Sequence, residues 1–384
     1  MRRLIMAEAK KFLVLITTTM LLTAGCVCGP GQNCQSEKQP GRAIRIGLSM
    51  DTLKEERWQH DRDLFVARAK ELGAEVQVQA ANGDDRTQTQ QAENLLTQGV
   101  DVLVVVPHNS EVAASIVDSA KRQCVPVVSY DRLIRNSDVD LYISFDNVKV
   151  GEMQAKYLLD RAPKGNYVLI GGAPTDNNAL LFRKGQMNVL QPAIDSGDVH
   201  IVSDQWAKEW QASEALKHTE NALTQANNKV VAVVASNDGT AGGVVQALAT
   251  QGLAGRVLVS GQDADLAGIQ RVVEGTQSMT IYKPIKPLAT KAAEVAVALA
   301  RGEKIQTDGA VDNGAKNVLS ILLDPVVVDR SNVVETVIKD GYQKLEDVYQ
   351  NVPRERWPQV PQKSSRIDIE HGVRDSERTI QITA

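Results

Sequence analysis

Charged, amide and indole side chains recur just after the predicted β-strands of this 384-residue chain, where they could bind a polyhydroxylated ligand. The candidates are Arg57, Trp58, Asp131, Arg132, Asn178, Arg183, Trp206, Asn237, Asp263 and Lys283. Carboxylate and amide oxygens accept hydrogen bonds from hydroxyl groups, whereas arginine, lysine and amide nitrogens donate them. The apolar C–H face of a sugar ring can pack against a flat aromatic side chain. This set of side chains therefore favours a sugar as the ligand.

Each candidate also has an ordinary structural explanation when it is taken alone. An Asp or Asn that follows a strand often forms a turn or caps a helix, and Asn177, Asp238 and Asp265 have such positions. Arginines at these points could form salt bridges at the surface or between lobes, and Trp58 could belong to a hydrophobic core. The argument for a binding site rests on the recurrence of such residues at one edge of the predicted sheets.

No catalytic or metal-binding motif accompanies these residues. The cysteines include no Cys-x-x-Cys pair and the five histidines are scattered, so we expect no metal and no cofactor. Cys124 is expected to be a small buried hydrophobe. Asp131 and Asp263 could be imagined as the acid/base pair of a glycosidase. Each lies beside a cation or amide suited to hold a carboxylate ionised, so we expect a binding protein and no enzyme.

Strands and helices alternate along the chain in two successive series. The first series has predicted strands at 44–48, 75–79, 102–106 and 125–129. The second has them at 167–170, 199–203, 230–234, 257–260 and 279–282. Alternation of this kind is typical of doubly wound parallel sheets, so the pattern predicts an α/β protein of two lobes. Ligands of such sheets bind outside the carboxyl ends of the strands.

The first 42 residues have the pattern of an export signal followed by a tether. Residues 1–25 combine a positive start with a short apolar run and read as a signal peptide. The run ends in Leu22-Thr23-Ala24-Gly25-Cys26, which resembles the lipidation motif of bacterial lipoproteins, although Thr23 replaces the usual Leu. We expect lipidation of Cys26, with an ordinary cleavable signal as the alternative. Residues 26–42 are rich in Gly, Pro and Gln and predict a flexible tether.

Several longer stretches resemble the sugar-binding proteins of ABC transporters, of the ribose/galactose type. They are Glu56-Arg57-Trp58-Gln59, Tyr130-Asp131-Arg132, Tyr142-Ile143-Ser144-Phe145-Asp146-Asn147, Asp176-Asn177-Asn178-Ala179 with Phe182-Arg183, Asp204-Gln205-Trp206, Ser236-Asn237-Asp238, Ser260-Gly261-Gln262-Asp263-Ala264-Asp265 and Tyr282-Lys283-Pro284. The resemblance runs from about Ile44 to Tyr342. Aromatics stand in place of Arg57 and Trp58 in ribose-binding relatives, and a Gln in place of Lys283. These differences favour D-xylose over ribose as the ligand.

The resemblance implies a type I periplasmic binding protein fold, in which two lobes joined by three hinge crossings close on a sugar. We expect one lobe from 43–146 plus 284–310, the other from 147–283 plus 311–344, and a polar tail from 345–384 that is disordered or loosely docked. It also implies D-xylose or a related monosaccharide as ligand and an ABC transporter permease as partner. The protein would act as a monomer outside the cytoplasm, attached to the membrane by its lipid only.

We expect no nucleic acid as a partner of this protein. A net charge of −4 without a dominant basic stripe argues against nucleic acid as a partner. A sugar-responsive repressor would carry a helix-turn-helix ahead of the lobes, where this chain has an export signal. Another monosaccharide such as ribose, arabinose or galactose stays open as the ligand, as does a role in signalling to a chemoreceptor.

Overall fold

The computed structural model describes residues 42–359. The predicted signal peptide, most of the tether and the lipidation site Cys26 lie outside these residues, as does the end of the predicted tail.

Strands and helices alternate through most of the described part of the chain. The strands are β1 (Ile44–Met50), β2 (Ala74–Ala80), β3 (Val102–Val105), β4 (Val127–Tyr130), β5 (Leu141–Phe145), β6 (Gly165–Gly171), β7 (Val199–Trp206), β8 (Ala232–Ala235), β9 (Leu258–Val259), β10 (Thr280–Tyr282), β11 (Gly309–Asp312), β12 (Asn317–Leu323) and β13 (Val326–Val328). The helices are α1 (Glu56–Glu71), α2 (Asp85–Thr97), α3 (Ala114–Arg122), α4 (Asn147–Leu159), α5 (Asn177–Asp195), α6 (Ala212–Gln225), α7 (Asp238–Thr250), α8 (Leu266–Glu274), α9 (Ile285–Arg301) and α10 (Leu345–Val348).

The first lobe is built on a seven-stranded sheet in the order β11-β12-β5-β4-β3-β1-β2, in which only the β11–β12 pair is antiparallel. Alternate residues of β3 face opposite layers, because side chains alternate along a strand. Val102 and Val104 pack with residues of α1 and α9, whereas Leu103 and Val105 pack with residues of α2 and α3. Burial on both faces explains the unbroken apolar run of this strand.

The second lobe contains a four-stranded parallel sheet in the order β7-β6-β8-β9 and an antiparallel pair, β10 and β13. Backbone hydrogen bonds connect the two: the Ser278 amide donates to Val259 at 2.9 Å, and the Asp263 amide donates to Ile281 at 2.8 Å. The sheet has an apolar layer on each face, one shared with α4 and α5 and the other with α6 and α7. The architecture is the predicted pair of α/β lobes.

The chain passes between the lobes at three points, namely between β5 and α4, between β10 and α9, and between β12 and β13. The predicted boundary after residue 310 is wrong. Strand β12 pairs in parallel with β5, with Ser320 opposite Tyr142, and β11 pairs with β12. The return to the second lobe therefore follows Leu323, because two further strands complete the first sheet.

The segment that begins at Leu345 is not loosely docked at its start. Helix α10 places Val348 and Tyr349 in a buried cluster of the second lobe that includes Val328 and Val337. The Tyr349 ring contacts Trp357, with centroids 5.9 Å apart. The prediction of a loose tail is therefore wrong for residues 345–357.

Cys124 also differs from its prediction as a buried hydrophobe. Its sulfur is disulfide-bonded, and the residue is half-buried at a positive φ of 57° at the end of the first lobe's helix α3.

Candidate functional site

The carboxyl ends of strands from both lobes meet at a small cavity, whose empty space, including the part open to solvent, is about 320 Å³. Its lining combines charged groups, amides and aromatic rings. The lining residues are Glu55, Arg57, Trp58, Asp131, Arg132, Asp176, Asn178, Phe182, Trp210, Asn237, Gln262, Asp263 and Lys283. Eight of the ten predicted residues are in this set.

Arg57, at the start of α1, lies at the centre of the cavity's charge network. Its guanidinium donates to Asp131 at 2.8 Å, to Asp263 at 3.2 Å and to Asp61 at 3.2 Å. The ammonium of Lys283 lies 3.7 Å from Asp131 and 3.5 Å from Asp263. Two cations therefore balance carboxylates that come from both lobes.

This network keeps Asp131 ionised. Burial raises the pKa of the Asp131 carboxyl, but the charges of Arg57 and Lys283 outweigh burial and lower it to about 2. Burial alone would lower the pKa of Arg57, but Asp131, Asp61 and Asp263 raise it well above its usual value. Asp131 is thus a hydrogen-bond acceptor at neutral pH, which suits it to receive a ligand hydroxyl.

Arg132 connects the lobes on another side of the cavity. It donates to Asp51 of the first lobe at 2.6 Å and lies 2.8 Å from the carboxylate of Asp176 in the second. His108 Nδ1 lies 2.9 Å from Asp51. Burial raises the pKa of Asp51, but the hydrogen bond to His108 and the charge of Arg132 lower it to about 2. Arg132 and its partners therefore form a second charged bridge between the lobes.

Two backbone conformations position the carboxylates. Asp131 has a φ of 59° and Asp263 a φ of 92°, a region that side-chain-bearing residues rarely adopt. Such conformations cost free energy and concentrate at functional sites. The side-chain amide of Asn178, in the second lobe, donates to the Asp131 carboxylate at 3.0 Å and to the Asp131 backbone carbonyl at 3.1 Å. These bonds fix the turn at Asp131 from the opposite lobe.

Two indole rings line the cavity. Trp58 is almost fully buried, and the guanidinium carbon of Arg57 lies 4.3 Å from the centre of its ring. Trp210 donates from Nε1 to Asp176 at 3.2 Å and packs edge-on against Phe182, with centroids 6.4 Å apart. These contacts fix the direction of both rings.

Two buried acceptors in the cavity wall have no donor among the described residues. They are Oε2 of Glu55 and Oε1 of Gln262. A buried acceptor without a partner is costly, so such atoms in a cavity wall indicate where a ligand would donate. The arrangement can thus hold a small molecule with several hydroxyl groups and an apolar face. Residues 42–359 contain no group of three His, Cys, Asp or Glu side chains that could hold a metal ion.

A model of the periplasmic binding protein domain matches residues 46–304, which is more than half of the chain. The chain belongs to the periplasmic binding protein family. It is 55% identical to the D-xylose-binding periplasmic protein of Haemophilus influenzae, over 82% of this chain and 95% of that one. It is 52% identical to the D-xylose-binding periplasmic protein of Escherichia coli, over 88% of this chain and 98% of that one.

Solved structures show the same fold. A carbohydrate transporter solute binding protein from Chloroflexus aurantiacus, in complex with D-glucose, superposes with a TM-score of 0.76. It is 33% identical and covers 80% of this chain and 98% of its own. The type I periplasmic binding protein fold expected from the sequence is confirmed. In the described part of this binding protein, no helix is long and apolar enough to cross a membrane.

The structure does not bring two of the predicted residues, Trp206 and Arg183, to the cavity. Arg183 lies over the Trp206 ring, with its guanidinium carbon 4.9 Å from the centroid, and it pairs with Asp204 and Gln186. Strand β7 extends through Trp206, three residues beyond its predicted end. The aromatic residue that follows the true end of the strand is Trp210, which faces the cavity in its place.

Asn237 lines the cavity and also caps a helix. Its side-chain oxygen accepts from the Thr240 amide at 2.9 Å at the start of α7. The binding and capping explanations therefore both apply, and the amide nitrogen is the group that suits a ligand acceptor.

Sequence reasoning missed five residues of the lining. They are Glu55, Asp176, Phe182, Trp210 and Gln262. Glu55 and Asp176 follow predicted strands, and Phe182 and Gln262 lie in the stretches of family resemblance, so each had a signal. Trp210 had none, because its position depends on where β7 ends.

Proposed function

We propose that this binding protein captures D-xylose between its lobes outside the cytoplasm and delivers it to the permease of an ABC importer. The assignment of D-xylose as the ligand rests on sequence identity. The chain is 55% and 52% identical to two proteins named for D-xylose binding, over almost their entire lengths. The cavity supports it, because it pairs ionised groups with indole rings. Another monosaccharide is the second candidate, since a similar structure at 33% identity holds D-glucose.

Nine of the thirteen side chains that line the cavity have a role in this proposal. Trp58 and Trp210 pack against the faces of the sugar ring. Asp131 and Asp263 accept from hydroxyls, while Arg57, Arg132 and Lys283 donate to them. Asn178 and Asn237 complete the ring of polar contacts. Charge-assisted hydrogen bonds of this kind are about twice as strong as neutral ones, which suits a small ligand with few atoms.

The low pKa of one cavity carboxyl, that of Asp131, supports capture rather than catalysis. A glycosidase needs one carboxyl that is protonated at its working pH. The pKa of Asp131 is lowered to about 2, so this group is a poor proton donor at neutral pH. Incubation with xylosides should therefore give no turnover.

Delivery requires that the lobes open and close. The contacts between Arg132 and Asp176, and between Arg57 and Asp263, join the lobes in the closed arrangement. A sugar that bonds to both lobes favours this arrangement, and the closed surface would be recognised by the permease. The protein would act as a monomer, held at the membrane by a lipid on Cys26.

Calorimetric titration of the purified protein tests the proposal. D-xylose should bind one to one with micromolar or tighter affinity, which is a free energy of about −8 kcal/mol or better. Ribose, arabinose, galactose and glucose serve as comparison ligands. Tight binding of glucose with none of xylose would support the second candidate, and absence of heat with all five sugars would contradict both.

A further inference from the structure

Glu56 joins the two lobes at a point outside the sugar cavity. It is the first residue of α1 in the first lobe, and its carboxylate reaches the second lobe. Oε2 accepts from the backbone amide of Leu266 at 2.9 Å, and Oε1 accepts from the side-chain amide of Gln343 at 3.1 Å. Glu56 is absent from the described lining of the cavity. Both contacts would be broken if the lobes moved apart.

The contact with Leu266 supplies a cap that the second lobe lacks. Leu266 begins α8, and the side chain at the capping position, Asp265, makes no capping hydrogen bond. The first amides of a helix have no acceptor within the helix, and a carboxylate there is favoured by the helix dipole. Glu56 therefore satisfies a helix start of the opposite lobe.

The contact with Gln343 reaches the loop that carries a ligand-binding carboxylate. Besides Glu56, the Gln343 amide donates to the Ala264 carbonyl at 3.2 Å, next to Asp263. Gln343 is buried, and the Glu56 side chain that it contacts is partly exposed. Glu56, Gln343 and the Asp263 loop thus form one connected set that depends on closure of the lobes.

We propose that Glu56 is a closing latch, a residue that stabilises the closed form by capping α8 across the lobe interface and so sets the affinity for the ligand. The dependence of affinity on Glu56 rests on the proposed function, whereas the effect on closure does not. If the binding-competent closed form is less populated, the apparent dissociation constant rises in proportion. Loss of a helix cap changes a helix equilibrium about 2- to 30-fold, which bounds the expected effect.

The test compares Glu56→Ala and Glu56→Gln with Glu71→Ala. Glu71 ends the same helix, and its ion pair with Arg68 lies within the first lobe, so it is a matched control. We expect Glu56→Ala to bind D-xylose about 5- to 30-fold more weakly, with most of the change in the dissociation rate. Glu56→Gln should fall between Glu56→Ala and the wild type, since an amide oxygen can still accept, and Glu71→Ala should match the wild type.

A second measurement separates the latch from the identity of the ligand. Small-angle X-ray scattering without sugar should give a larger radius of gyration for Glu56→Ala than for the wild type, because the open form is more extended. If the wild type binds no sugar, the proposed function fails, and the scattering comparison still decides the latch. Equal affinity together with equal scattering for Glu56→Ala and the wild type would overturn the latch. A fall in melting temperature for Glu56→Ala with unchanged affinity and unchanged scattering would give Glu56 a purely structural role and would also overturn the latch.

Discussion

The guanidinium of Arg57 in the first lobe lies 3.2 Å from the carboxylate of Asp263 in the second, and both groups are buried. The same guanidinium bonds to Asp131 and Asp61, so one side chain neutralises carboxylates of both lobes. A buried ion network gains little over apolar packing while it is complete, but removal of one member leaves uncompensated charge. The cavity is therefore sensitive to any change of Arg57.

Replacement of Arg57 should destabilise the fold as well as weaken binding. Arg57→Met leaves Asp131 and Asp263 with Lys283 as the cation within 4 Å, and it removes the ion-pair partner of Asp61. We therefore expect a loss of about 3–5 kcal/mol in the free energy of unfolding. Urea denaturation followed by circular dichroism measures it. The control is Arg62→Met, whose ion pair with Asp63 is exposed and should cost below about 0.5 kcal/mol. Equal stability of the two variants would contradict the role given to Arg57.

Trp210 and Trp206 should differ sharply in their effect on ligand affinity. Trp210 lines the cavity. Its ring packs so closely on Gly172 that a Cβ built at Gly172 would lie 2.0 Å from a ring carbon. Trp206 packs instead under Arg183. We expect Trp210→Ala to weaken D-xylose binding about 10- to 100-fold and Trp206→Ala to change it less than about 2-fold. Calorimetric titration of both variants decides the point, and a larger loss for Trp206→Ala would reverse the assignment.

The two tryptophans also show which parts of the site could be predicted from sequence. Arg57, Asp131 and Lys283 were predictable because each lies close after a strand whose end is marked by a change from apolar to polar residues. In strand β7 this change comes at Ser203 and Asp204, before the strand ends at Trp206. The pairing of β7 with β6 shifts register between Tyr167 and Val168 of β6, and β7 then continues to Trp206. A bulge of this kind is set by pairing between strands, which a single sequence does not display.

The limits of the fold prediction have a similar cause. The alternation of strands and helices predicted the two α/β lobes and their order. The membership of β11 and β12 in the first sheet depends on long-range pairing with β5, with Ser320 opposite Tyr142. Likewise, the polar composition after Leu345 masked two apolar residues, Val348 and Tyr349, that find a buried cluster in the second lobe.

Docking of the segment after Leu345 should contribute to stability. Tyr349 is buried against the cluster that contains Val328 and Val337, so Tyr349→Ala leaves a cavity there. We expect the free energy of unfolding to fall by about 2–4 kcal/mol, as for other large-to-small changes in a core. Asn351→Ala is the control, because Asn351 is exposed and makes a single hydrogen bond to Glu274. A change below about 0.5 kcal/mol for Tyr349→Ala would mean that the segment is not part of the folded core.

The contributions of Asp51 and Asp131 to stability should be lost in acid. Both carboxyls have a pKa lowered from 3.8 to about 2 in the folded protein, so the unfolded chain takes up protons first as the pH falls. Their contribution is fully present above about pH 4 and is lost between about pH 4 and pH 2. Each should contribute about 2 kcal/mol at pH 7, since one pKa unit corresponds to about 1.4 kcal/mol.

Asp51→Asn isolates one of these contributions. The variant should be about 2 kcal/mol less stable than the wild type at pH 7, and the difference should shrink towards pH 2, where the wild-type carboxyl is also protonated. Urea denaturation at pH 7, 5, 4, 3 and 2 measures the difference, with Asp63→Asn as an exposed control. A difference that stays constant across this range would show that Asp51 acts through packing and neutral hydrogen bonds. The charge of the Asp51–Arg132 pair would then contribute nothing to the stability of the fold.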